Sequence, residues 1–131
     1  MESPGAYQDP TTGKWIMTFS DPNCGYCAGT GSSYALADSL AGPWRAAPNT
    51  GYSAATAGRR AISATSCGGQ PRTVFTVDGR TYQLIDLWGQ WNGDSANQAR
   101  AGLLFAELHY TPQAAPNGGV LPPQFSQWPC A

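Results

Sequence analysis

One stretch constrains this chain more than any other: Cys67-Gly68-Gly69-Gln70-Pro71-Arg72 and onward to Ile85-Asp86-Leu87-Trp88. Arg72 to Val77 and Thr81 to Trp88 are rich in β-branched and aromatic residues, and Asp78-Gly79 between them has tight-turn chemistry. The pattern predicts a β-hairpin. Folding back brings its outer ends together, Gln70 and Arg72 on one strand beside Asp86 and Trp88 on the other. An amide, a cation, a carboxylate and an indole on one rim suit the grip of a sugar. They suit equally a structural rim, with Arg72 paired to Asp86 and Trp88 packed on the core.

The rest of the chain has the same character. Its 131 residues are one domain's worth, and 41% are hydrophobic, enough for a core. Only 11% are charged, against about 25% in ordinary globular domains. Sixteen Gly and eleven Pro imply many short turns, and five Trp, six Tyr and four Phe are many aromatics for this length. Low charge with many turns and aromatics suits a secreted β-protein that handles carbohydrate. A net charge of -1 with seven scattered basic residues leaves no footprint for nucleic acid. No apolar run approaches the ~20 residues of a membrane-spanning helix. Met1 is followed at once by Glu2-Ser3-Pro4, so the chain reads as a secreted protein whose leader is absent.

In order, Gly5 to Gln8 is a short strand, Asp9-Pro10-Thr11-Thr12-Gly13 a turn, and Lys14 to Ser20 a half-buried strand with Trp15, Met17 and Phe19 on one side. The segment 21–29 is a loop, Thr30 to Ala37 a third strand, and Trp44 to Ala47 a short edge strand. Asn49 to Arg60 is a polar surface loop, and Ile62 to Ser66 is extended. After the hairpin come a polar loop, Gln90 to Arg100, and an apolar strand, Gly102 to Tyr110. The tail from Thr111 is Pro-rich and irregular, with one edge strand near Val120-Leu121. The element order thus repeats every roughly 45–65 residues, the size of a four-stranded propeller blade. The expected fold is all-β: two four-stranded antiparallel propeller-type blades in a single partial domain, about 2–60 and about 61–125. Two such blades leave an open edge and a bare face. Oligomerisation or strand exchange would complete them, three copies making a ring of six blades.

Glu2-Ser3-Pro4, Tyr7, the strand Gly13 to Ser20, and Tyr34-Ala35-Leu36-Ala37-Asp38-Ser39-Leu40-Ala41-Gly42-Pro43-Trp44 form a familiar run. It resembles the middle of glycoside hydrolase family 43, the five-bladed β-propeller glycosidases. Gly68-Gly69-Gln70-Pro71-Arg72-Thr73-Val74 and Asp86-Leu87-Trp88 look like the next blade of the branch that includes galactan-degrading members. The resemblance covers roughly Glu2 to Leu121, about two blades from the later part of the propeller. It implies that Glu2, the Glu of Glu-x-Pro, is the general acid. It also implies that the base Asp and the Asp that tunes the acid belong to blades upstream of Met1. An inverting glycosidase needs both an acid and a base. Asp86, Asp94 and Glu107 are stand-in bases, with Asp86 the best placed at a strand end. Its other reading is partner to Arg72.

Two functions follow as expectations. One is a glycosidase-derived unit for β-linked galactosyl, xylosyl or arabinosyl bonds, with Glu2 as remnant acid and Gln70, Arg72, Asp86 and Trp88 shaping the site. The other is a non-catalytic, lectin-like propeller module in which Trp44, Trp88 and Trp91 stack on sugars while Gln70, Asn92 and Asp94 bind hydroxyls. A purely structural fragment is a third reading. His109, the single histidine, reads as a strand residue rather than a catalyst. No cluster has metal-ligand spacing, and a structural calcium in a central channel, as in some propellers, has no support in the sequence. No glycine-rich phosphate loop follows a strand.

Cys24-Gly25-Tyr26-Cys27 has the spacing of redox and zinc sites but lacks the strand-to-helix context of one and the second close pair of the other. Four cysteines in so small a chain point to disulfides and an oxidising compartment. The favoured pairing is Cys24–Cys27 with Cys67–Cys130, one of three pairings open to four cysteines. Closing the longer loop would stabilise by roughly 4 kcal/mol in the chain-entropy account.

Overall fold

The computed structural model describes residues 2–21, 30–46, 62–63, 65–87, 102–114 and 120–125, with side chains for 2–20, 30–45, 62–63, 65–87 and 102–109. The first sheet holds β1 (Glu2–Gln8), β2 (Trp15–Asp21), β3 (Gly31–Ala37) and β4 (Arg45–Ala46), antiparallel and in chain order. The second holds β5 (Gln70–Val77), β6 (Arg80–Asp86) and β7 (Leu103–Glu107), again antiparallel and in order. Both begin with a hairpin whose turn the sequence dictates. Asp9 accepts hydrogen bonds from the Thr12 N–H (2.8 Å) and hydroxyl (2.6 Å), and Gly13 closes that turn at φ 70°. Asp78 and Gly79 take φ 50° and 74°, the left-handed pair that a two-residue hairpin needs.

The all-β reading with two blade-like sheets holds. The first has the four strands expected; in the second, also expected to have four, three strands are hydrogen-bonded among the described residues, because the next two strands pair with each other instead. The strand expected near Val120 runs from Val120 to Phe125 as β9 and pairs with β8 (Tyr110–Ala114) in a ladder of their own. Pro112 lies within its register shift, between Thr111 and Gln113, where a missing N–H is tolerated. The opening strand begins three residues earlier than its apolar pattern suggests. Ser3 adopts φ 50° and makes a bulge that accommodates Pro4, so that Glu2 still pairs with Ser20. Ile62-Ser63 runs beside the start of β3, with the Ser32 N–H bonded to the Ser63 carbonyl (2.9 Å), before a 3-10 turn at Ser66–Gly68.

The core lies between the two sheets. Tyr7, Ile16 and Tyr34 of the first meet Ile85 and Ala106 of the second, with Ile62 and Leu108 closing the layer. Burial pushes the Tyr34 hydroxyl up to about 12, so it stays neutral there. The alternation in β2 has a different consequence from the one expected. Ile16, Thr18 and Ser20 face the second sheet and are fully buried, while Phe19 on the other face is buried too. Trp15 and Met17 on that face are half-buried, so the strand is covered on both sides only toward its Ser20 end.

Gln83 shows how the second sheet carries a bulge. It is fully buried, and its amide N–H groups reach the carbonyls of Arg72 (3.2 Å) and Thr73 (3.1 Å), inside the register shift between Pro71 and Val74. Gln83→Ala leaves two carbonyls without these donors. Urea unfolding is expected to show a loss of about 2–3 kcal/mol, where an exposed glutamine would cost under about 0.5.

Candidate functional site

Glu2 and Gln70 open the first strands of the two sheets, and those strands lie against each other. The contact is close: a Cβ built on Gly5 would stand 2.6 Å from Val74 Cγ2 and 2.9 Å from its backbone N. Each opening residue precedes a bulge, and each has a polar cross-strand partner, Ser20 for Glu2 and Asp86 for Gln70. The two sheets therefore present equivalent corners at one end of the molecule.

The corners are joined by hydrogen bonds. Gln70 is 8% exposed, and its Nε2 donates to Glu2 Oε2 at 2.9 Å and to Ser20 Oγ at 3.3 Å. Ser20 Oγ in turn donates to the Glu2 carbonyl at 3.1 Å. Glu2 thus keeps an exposed carboxylate that is held in position by a buried amide from the other sheet. Beside it, Arg72 Nη2 meets Asp86 Oδ2 at 3.0 Å, the ion pair that the structural reading of the rim expects. Asp86 is a partner to Arg72 before it is anything else.

The backbone behind the rim is fixed from three sides. The Gly69 N–H bonds to the Ser66 carbonyl (3.0 Å), the Gly69 carbonyl accepts from the Thr30 N–H (2.9 Å), and Ser66 Oγ donates to the Thr30 carbonyl (2.6 Å). Cys67, half-buried in this turn, is disulfide-bonded. Its pairing with Cys130 is an expectation that falls outside the described residues, as do Cys24, Cys27, Trp88, Trp91, Asn92 and Asp94.

Two sequence candidates, Trp44 and Glu107, lie elsewhere, together with His109. Trp44 follows the cis Gly42–Pro43 bond and leads into β4, at the end of the first sheet where Trp15 pairs with Ala37, opposite the Glu2 end. Glu107 and His109 border a polar cleft of about 220 Å³ between the two hairpin turns, with Asp9, Thr11, Arg80 and Thr81. His109 is exposed and sits 3.6 Å from Glu107, just beyond β7 rather than in it. These residues are grouped by the hairpin turns, away from the acid. Ser20 is the rim residue that sequence reasoning missed; its one signal is the cross-strand register with Glu2. Among the described residues no group of three His, Cys, Asp or Glu could hold a metal, and no helix is long and apolar enough to cross a membrane.

No protein-family profile matches the chain, and no curated protein matches it. Among solved structures it is similar to an exo-1,5-alpha-L-arabinanase from a bovine ruminal metagenomic library, with a TM-score of 0.50 and 16% identity. The match covers 96% of this chain and 38% of that one, so the chain spans little more than a third of the enzyme it matches. At this identity the likeness is one of fold. It agrees with the order of hairpins and edge strands: the chain has the fold of a partial, glycoside hydrolase family 43-like β-propeller.

Proposed function

We propose that this chain is a glycoside hydrolase-like propeller unit that acts on plant-type oligo- or polysaccharide, with Glu2 as its general acid. The observation that carries this reading is the Gln70–Glu2 hydrogen bond between the two sheets. A buried amide fixes one oxygen of an exposed carboxylate, a suitable arrangement for an acid that must meet a leaving oxygen. Inversion also needs a base, roughly 6.5–9.5 Å from the acid, to activate water. Asp86 is held by Arg72, so the base comes from a neighbouring subunit or from further propeller. Secretion fits the disulfide at Cys67. The fold neighbour is an arabinanase, which puts arabinosyl substrates first among those to try.

Because Asp86 is committed to its arginine, carbohydrate binding without turnover is the second reading, with Trp88, Trp91 and Asn92 supplying the stacking face and polar contacts. A panel of nitrophenyl arabinosides, galactosides and xylosides separates the two. Glu2→Gln is expected to lower turnover by about 10²–10⁴-fold, the usual contribution of a positioned acid. Gln70→Ala should lower it by about 10-fold through loss of position. Turnover that survives Glu2→Gln would remove Glu2 from the mechanism. Absence of both turnover and calorimetric binding of arabino-, galacto- and xylo-oligosaccharides by the folded protein would remove both readings.

A further inference from the structure

The second sheet buries one face against the first and leaves the other open. Strand periodicity places Phe75 and Val77 of β5, Tyr82 and Leu84 of β6, and Leu103 and Phe105 of β7 together on that outer face. Their rings are already ordered: Phe75 stacks on Tyr82 with centroids 5.7 Å apart and meets Phe105 edge-on at 5.6 Å. Yet Phe105 is 56% exposed, Leu103 61% and Val77 49%. An organised aromatic and aliphatic face of this kind marks an interaction surface.

We infer that this face is the contact of a twofold-symmetric dimer, its occupant being the same face of a second copy. The charges favour self-pairing. At one end of the face Arg72 pairs with Asp86; at the other, Arg80 lies 3.9 Å from Glu107. Each end therefore carries one cation and one anion. A twofold axis across the strands reverses their direction and sets β6 over the partner's β6, so that Arg80 at its start meets the partner's Asp86 at its end, and the reverse. Sheets packed face to face stand about 10 Å apart, within reach of two long side chains from opposite sides. The far face of the first sheet offers less open surface. Phe19, Ser33, Ala35 and Ala37 there are already 0–7% exposed, and Trp15 and Met17 are half-buried, so a head-to-tail stack finds a poorer match. This also selects a closed pair over a ring of three.

The size of the face sets the strength. With roughly 150–250 Å² for each large apolar side chain, the exposed portions amount to about 400 Å² per copy. That is about half of the ~800 Å² per partner of a standard stable interface. The dimer is accordingly weak and forms only at high protein concentration. In the reversed arrangement the partner's Arg80 and the partner's Glu107 border the Arg72–Asp86 rim, adjacent to the Gln70 and Glu2 corner.

Sedimentation velocity over roughly 5–500 µM tests this, because a dimer population must follow mass action. The wild-type chain should move from monomer to dimer without larger species. Leu103→Glu, at an exposed position, should remain monomeric across the range. The double exchange Arg80→Glu with Glu107→Arg keeps the pair within each copy but sets like charges across the axis. It should weaken association at least about tenfold while leaving the circular dichroism and melting temperature unchanged. Leu40→Glu, at an exposed turn of the first sheet, should dimerise as the wild type does. A wild type that stays monomeric at the highest concentration, or forms trimers or longer chains, overturns the proposal. So does association that survives both Leu103→Glu and the charge exchange.

Discussion

Gly69→Ala should be the most damaging single methyl in the described part of the protein. Elsewhere glycine-to-alanine often stabilises, by about 0.4–1 kcal/mol, because it restricts the unfolded chain. Here the sign reverses for steric reasons alone. The backbone at Gly69 is extended, with φ −128° and ψ −160°, a region open to any residue. A Cβ there would stand 2.3 Å from the Asp86 carbonyl oxygen, 2.9 Å from its carbon and 2.8 Å from Ile85 Cγ2. Two of those three atoms are main chain of Asp86, at the end of the central strand β6, and cannot swing aside as a side chain would. Nor can Gly69 retreat, since its N–H and carbonyl are bonded to Ser66 and Thr30. We expect a loss of about 3–4 kcal/mol in urea unfolding. The displaced backbone is that of Gln70's neighbour, so the Gln70–Glu2 hydrogen bond should loosen with it. A loss below about 1 kcal/mol would mean that β6 yields more easily than its pairing on both sides implies.

The second large effect is expected at Ile85. It is fully buried and central to the layer between the sheets, in one cluster with Ile16, Tyr34 and Leu108. Ile85→Ala removes that contact and opens a cavity that residues from both sheets would have to fill. Such truncations cost about 2–5 kcal/mol, and a site walled by two hydrogen-bonded sheets has little freedom to collapse; about 4 kcal/mol is expected here. Calorimetric or urea unfolding checks the value. A cost near 1 kcal/mol would show that the two sheets do not unfold together. Because Ile85 Cγ2 is also what Gly69 would strike, the two substitutions share a contact, and their effects should not add.

The hairpin from Gln70 to Asp86 was legible because its information is local. Asp78-Gly79 sets the turn, and β-branched and aromatic residues fill both strands. The same holds for Asp9 to Gly13 and for β2 and β3. What failed to show locally were the bulges. Pro4 and Pro71 lie outside the strands expected from Gly5 and Arg72, yet each sits where the ladder shifts register, and the strands run through them. The tail fared likewise: Pro112, Pro122 and Pro123 suggested irregular chain, while β8 and β9 pair around them.

For the site, residue types were readable and neighbourhoods were not. Glu2, Gln70, Arg72 and Asp86 could be chosen from composition at strand ends and from resemblance. That Arg72 takes Asp86 was one of two open readings, decided by the hairpin register. The Glu2–Gln70 bond joins positions 68 apart, and no local pattern encodes it. Trp44 and Glu107 were eligible by type and lie at the end away from Glu2, because a strand has two ends and composition does not say which one carries Glu2.

The sequence by itself determined the period of the strands, the chemistry of their turns and the count of two blade-like units, since these depend on residues within a few positions of one another. Only the tertiary structure decided which faces meet. Packing between sheets buries Ile16 and Ile85 together, stitches Glu2 to Gln70 through a buried amide, and leaves Val77, Leu103 and Phe105 of the second sheet's aromatic face exposed. Those outcomes depend on how two separately specified sheets fit at contact distance, with Gly5 permitting the approach.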